Sequence, residues 1–169
     1  SAMTLVLASA CTPAAPPAND AATKAPAAVD ASGARQVATL AEAFLTPMTP
    51  DDNIDSPAAW KAPDGKTWLI ATAKATDKLV VYDGSTGSPL REVGTTGTAL
   101  GQFDRPNGIA VTDDLLWIVE RDNHRVQLFS LPDFTPLAVF GADDLRKPYG
   151  LWVDKRRDGY SVYVTDSWD

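Results

Sequence analysis

The chain has 169 residues, 44% of them hydrophobic and 22% charged, which suffices for one globular domain with a buried core. Its 22 acidic residues against 15 basic ones leave a net charge of −7, and without a positive face, counterion-driven binding of nucleic acid is excluded. A single cysteine rules out an intrachain disulfide and multi-cysteine zinc sites, whereas an acidic chain suits calcium, a hard cation that takes carboxylate oxygens.

The first element in chain order is the short apolar run at 4–11, TLVLASAC. It resembles the end of a bacterial lipoprotein signal peptide, in which Cys11 becomes the acylated first residue. The plainer reading is a tail with an incidental cysteine. Residues 12–33 are alanine, proline and small polar residues, with too little apolar surface to offset the entropy of ordering, and they read as a disordered tether. Together the two segments predict an extracytoplasmic protein, in the bacterial periplasm or on the outer membrane, that meets the membrane through its lipid anchor only. No stretch approaches the ~20 apolar residues of a transmembrane helix.

Residues 34–54 allow two readings. Val37, Leu40, Ala41 and Phe44 fit a helical stripe that Pro47 stops; alternatively the segment supplies a strand that closes the last blade of a sheet repeat. From 55 to 169 short β-type runs alternate with turn residues such as PDGK and DGSTGS. The runs are 68–72, 79–82 and 89–93, then 108–111, 116–119, 126–129 and 136–140, then 149–153 and 161–165. Pro57, Pro106 and Pro148 precede or open matching runs at spacings of 49 and 42, and WLIAT, WIVER and YVTDS follow in the same order. Four short strands per repeat of this length is the size of a β-propeller blade. The expected fold is therefore all-β: a β-propeller fragment of four-stranded antiparallel blades, two blades plus the start of a third. Propellers have roughly 4–8 blades, so closure needs further blades, and open blade edges invite self-association.

Within 97–129, the residues Gly101, Phe103, Pro106, Gly108, Ile109, Asn123, Arg125, Val126, Gln127 and Phe129 stand in the register of the NHL repeat, which the segment resembles. Over roughly 51–169 the chain also resembles a bacterial β-propeller phytase. The likeness is carried by DNIDSPAAW, IATAKATDKLVVYD, DRPNGIAV and KPYGLWVDKRRDGYSVYVTD. That resemblance implies phosphate contacts at Lys74, Arg105 and Tyr149 and a calcium carboxylate at Asp55, with Asp166 the second metal candidate. It implies calcium-dependent hydrolysis of phosphomonoesters such as phytate. Asp166-Ser167-Trp168 departs from the Lys-Glu pair that those enzymes carry after this strand. The departure favours the alternative, a non-catalytic NHL-type propeller that binds a protein, glycan or small ligand on its face.

Plainer roles stand beside each of these. Arg105 can bridge neighbouring blades and Lys74 can be a solvated loop charge. His124 falls in a turn, and Asp51, Asp52 and Asp55 can cap a turn instead of holding calcium. Trp60, Trp68, Trp117 and Trp152 are expected in the core between blades, and Trp168 is the candidate ligand-facing aromatic. A P-loop, nucleophile elbow, metalloprotease helix and dinucleotide fingerprint are all missing.

Overall fold

The structure, a computed structural model, describes residues 40–167; Cys11, the tether at 12–33 and Trp168 lie outside them. Ten strands follow one 3-10 turn at Pro50–Asp52, and there is no α-helix among the described residues. Strands β1 (Ile54–Lys61), β2 (Thr67–Ala73), β3 (Lys78–Asp83) and β4 (Pro89–Val93) form one antiparallel meander. Strands β5 (Pro106–Thr112), β6 (Leu115–Glu120), β7 (Arg125–Ser130) and β8 (Thr135–Phe140) repeat it. A third sheet holds β9 (Pro148–Arg156) and β10 (Gly159–Asp166). The fold is thus two complete propeller-type blades and the first two strands of a third.

Local chemistry closes the turns. Asp83 accepts the Ser85 and Thr86 N–H groups at 2.8 and 3.0 Å, an aspartate turn that reverses the chain between β3 and β4. Asp77 and His124 take left-handed backbone (φ 54° and 55°) at matching places in the β2–β3 and β6–β7 turns, a conformation that Asp and His tolerate better than most residues.

The first strands β1, β5 and β9 lie side by side, so the blades stack around a common axis and bury their faces on one another. The core between the first two blades includes Trp60, Ile70, Leu79 and Val81 from one side and Phe103, Ile109, Leu116, Ile118 and Phe129 from the other.

Three expectations meet the structure differently. Of the segment 34–54, read as a helix or a closing strand, residues 34–39 lie outside the described residues, and 40–49 hold neither helix nor strand, where Pro47 and Pro50 remove two backbone donors within one turn. Instead Phe44 lies against Gly87, where a Cβ would collide with its ring, and Asp52 clamps the β2–β3 turn. Its carboxylate accepts from Thr76 Oγ1 at 2.8 Å and pairs with Lys78 at 3.0 Å. The Thr76 hydrogen bond, then that from Lys78, holds the Asp52 carboxyl below its ordinary range.

Second, the repeat is out of register between the first two blades. Pro106 and Pro148 pair with Glu120 and Asp166, but the residue in that place in β1 is Ile54, opposite Ala73. Pro57 stands further on, opposite Ala71, so the partner strand β2 is slipped by two. A slip of two keeps every side chain on its own face, so the hydrophobic pattern could not reveal it. Third, Trp60 and Trp117 are buried at 2% and 1% exposure as expected, and Trp68 is half-buried, but Trp152 is 70% exposed. It lies on the side of β9–β10 that no other described blade covers.

Candidate functional site

Each first strand carries one extra residue near its start. Three steps along β1 (54 to 57) match two along β2 (73 to 71), and the same irregularity occurs at 106–109 in β5 and at 148–151 opposite 164–166 of β10. Such bulges re-aim side chains and are common beside functional sites. Aligned on them, the first bulge residue is Asp55, Asn107 or Tyr149, and the second is Ser56, Gly108 or Gly150. The residue preceding each strand start is Asn53, Arg105 or Lys147.

Chain direction then places all five candidates from the sequence at one end of the blades, here called the upper face. Asp55 and Tyr149 sit in bulges, Arg105 precedes β5, Lys74 follows β2, and Asp166 ends β10. The second bulge residues are tied down. Ser56 N–H donates to Thr72 Oγ1 at 3.1 Å, and Gly150 N–H donates to Thr165 Oγ1 at 2.9 Å. Thr72 Oγ1 also donates to the Asn107 carbonyl at 2.8 Å, which stitches the first blade to the second. Gly108 has no room for a side chain: a Cβ there would lie 2.7 Å from the Tyr149 carbonyl oxygen and 2.9 Å from Gly150 Cα.

The candidates divide by what their polar atoms do. Lys74 Nζ pairs with Asp55 Oδ1 at 3.2 Å, both largely shielded, while Asp55 Oδ2 is buried without a hydrogen-bond partner. Arg105 has left-handed backbone (φ 52°). Its N–H donates to Asp77 Oδ1 at 2.8 Å and its carbonyl accepts from Arg121 N–H at 3.1 Å. Its Nε is buried without a partner. Asn107, which sequence reasoning does not single out, is fully buried with both amide atoms unpartnered. Of the five such side-chain atoms among the described residues, four therefore belong to Asp55, Arg105 and Asn107. Buried polar atoms are ordinarily paired, so the concentration of exceptions marks the upper seam between the first two blades as the candidate site.

Tyr149 is nearly half exposed, in the bulge of β9. Asp166 does something different. Its two oxygens accept Arg146 and Lys147 N–H at 2.8 and 2.6 Å, which fixes the segment leading into β9. Among the described residues, no three His, Cys, Asp or Glu side chains come together as a metal would need. Asp104, beside the site, has its carboxyl pushed up by burial and by the charges of Asp77 and Asp122, with Arg105 and His124 opposing. His124, which takes the turn position of Asp77 one blade later, meets the Arg146 carbonyl through Nδ1, whereas Asp77 accepts the Arg105 N–H.

The residues of the repeat signature build the support under this face. Glu120, fully buried, pairs with Arg125 Nε at 2.7 Å and accepts from Gln127 Nε2 at 2.6 Å. Arg125 also donates to the carbonyls of Thr98, Ala99 and Gln102, and Asn123 donates to the Gly97 carbonyl at 2.9 Å. Glu120 Oε2 accepts Asp104 N–H at 3.0 Å. The cluster thus fastens the 97–104 connection, on which Arg105 is mounted.

Comparison with known proteins agrees with this architecture. The NHL repeat family model matches residues 103–129. No curated protein matches the chain. Among solved structures, Kuenenia stuttgartiensis hydrazine synthase superposes with a TM-score of 0.52 at 19% identity, over 70% of this chain and 30% of that one. At that identity the likeness concerns the fold alone, and this chain spans about a third of the other's length. Residues 103–129, which match the NHL repeat model, form the first three strands of the second blade in a β-propeller-type fold.

Proposed function

We propose that the upper face binds a phosphorylated small molecule, with Arg105 as its principal anion contact. The observation that carries this is the state of Arg105. Its backbone is held in a disfavoured conformation by Asp77, yet its side chain forms no ion pair among the described residues and leaves Nε unpartnered. Strain maintained by the surroundings around an unsatisfied cation suits a charge brought in from outside. Lys74 and the Tyr149 hydroxyl extend the same face.

Calorimetric titration of the protein with inorganic phosphate and with phytate tests the reading. Losing charge-assisted hydrogen bonds of about 1.5–3 kcal/mol should weaken phytate binding of Arg105→Ala by roughly 10-fold or more. Equal affinity for variant and wild type, or no binding by wild type, would sink it.

A second reading, calcium-dependent hydrolysis of the bound phosphomonoester, is favoured by the free Asp55 Oδ2 beside Lys74. Calcium, when bound, would neutralise phosphate charge and polarise a water. The described residues meet that need at Asp55 alone, because Asp166 is occupied by backbone N–H groups. No hydrolytic step is assigned to them. Phosphate release that chelation abolishes would support this reading, whereas binding without release leaves a ligand-binding propeller. We further propose an extracytoplasmic, lipid-tethered location through Cys11, supported by the apolar run before it and the Ala/Pro segment after it. Cys11→Ser should move the protein from the membrane fraction to the soluble fraction of bacterial cells, and an unchanged distribution would refute the tether.

A further inference from the structure

The first two blades are complete, and the seam between their upper ends gathers polar atoms that the protein leaves unpaired. Arg105 and Asn107 stand two residues apart where β5 begins. The Asn107 carbonyl accepts from Thr72 Oγ1 at 2.8 Å, and the same hydroxyl oxygen receives Ser56 N–H at 3.1 Å. Ser56 follows Asp55, so one buried threonine ties the neighbourhoods of Asp55 and Asn107 together. Arg105 Nε, Asp55 Oδ2 and both amide atoms of Asn107 are buried without a partner.

Charge and size limit what can meet these atoms. Lys74 is held by Asp55 at 3.2 Å, whereas Arg105 forms no ion pair among the described residues. Carboxylates stand around Arg105: Asp77 accepts its N–H at 2.8 Å, and Asp104 precedes it. Burial, then the charges of Asp77 and Asp122, push the Asp104 carboxyl up, which marks negative charge already crowded there. A guanidinium in such a setting attracts one phosphate and leaves a second facing like charge. The other unpaired atoms call for hydrogen bonds and not for charge. Asn107 offers a donor and an acceptor, and Asp55 Oδ2 an acceptor only. Asn107 has no exposed surface, so a group that reaches it between the strands must be small. A hydroxyl meets each condition: it accepts from Nδ2, donates to Oδ1 or to the carboxylate, and carries no charge.

We infer that the ligand is a singly phosphorylated polyol of the sugar-phosphate class, a choice that rests on the phosphate-binding reading above. Its phosphate lies on Arg105 and a neighbouring hydroxyl lies on Asn107 and Asp55. Phytate, in which every hydroxyl is phosphorylated, is the poorer fit.

Calorimetric titrations of the full chain with inorganic phosphate, glucose 6-phosphate and phytate, at one pH and ionic strength, are the test. Glucose 6-phosphate should bind roughly 10-fold tighter than inorganic phosphate, the yield of one or two neutral hydrogen bonds, and tighter than phytate. Asn107→Leu, close in size, should remove most of that advantage, with circular dichroism checking the fold. Should that variant fail to fold, Asp55→Asn takes its place. It removes a carboxylate and frees Lys74, and should raise the affinity for phytate relative to glucose 6-phosphate. Equal affinity for inorganic phosphate and glucose 6-phosphate, or phytate bound more tightly than either, overturns the sugar-phosphate assignment and leaves phosphate binding standing. An advantage untouched by Asn107→Leu, or a ratio unmoved by Asp55→Asn, overturns it as well. No binding of any of the three overturns both.

Discussion

Gly108 shows how little freedom exists where two first strands meet. Its α-carbon faces backbone atoms of Tyr149 and Gly150 that cannot rotate away, so the smallest side chain forces the blades apart. Overpacking of this kind costs about 1–3 kcal/mol. Gly108→Ala should lower the stability measured by denaturant unfolding by that amount while leaving the slope with denaturant unchanged; an unchanged midpoint would show that the seam yields freely. Arg105 and Asp77 make the complementary point, since an aspartate in one turn fixes the backbone of an arginine in the next blade. Arg105, Lys74, Asp55 and Tyr149 could be picked from sequence because their residue types announce charge or hydrogen bonding. Asn107 could not. Its neighbours in the motif are a proline and a glycine, which read as turn chemistry, and nothing local tells that its amide is enclosed without a partner.

At the level of strands and turns, the β6–β7 hairpin carries the buried ion pair that steadies the upper face. Removing Arg125 strands the Glu120 carboxylate in a site with no water contact and frees three carbonyls of the 97–104 connection. Breaking a buried pair from one side costs about 3–5 kcal/mol. Arg125→Leu should therefore destabilise by that order in urea unfolding. The double variant Arg125→Leu with Glu120→Leu should recover part of the loss, because no lone charge is left behind. If the double variant were the worse of the two, the hydrogen bonds that Glu120 accepts from Asp104 N–H, Asn123 and Gln127 would outweigh the stranded charge. The positions of β2 to β8 and of β10 were readable from alternation and turn residues to within two residues. Strand β1 was marked only through Pro57, and β9 runs three residues past the stretch read for it. Register between blades was not readable, because a slip of two preserves the inward and outward pattern that the sequence displays.

For the whole molecule, the repeat announced the fold, since no single blade can cover its own two faces. What repetition could not convey is which faces remain bare. Trp152 reads like Trp60 and Trp117 in sequence, and differs only in having no described blade beyond it. The segment before β1 was equally opaque, because its prolines and isolated apolar residues fit no period, and its contacts are with turns of the first blade.

The extra residue at the start of each first strand has a consequence for how such a protein changes over time. Ladder pairing resumes after every bulge, so Asp55, Asn107 and Tyr149 occupy positions that the sheets do not dictate. The three already differ as acid, amide and phenol around one rim, although the scaffold beneath them repeats. Exchanging one of them changes the chemistry held at the rim without asking the blades to fold anew, so that chemistry can shift by single substitutions at a fixed set of addresses.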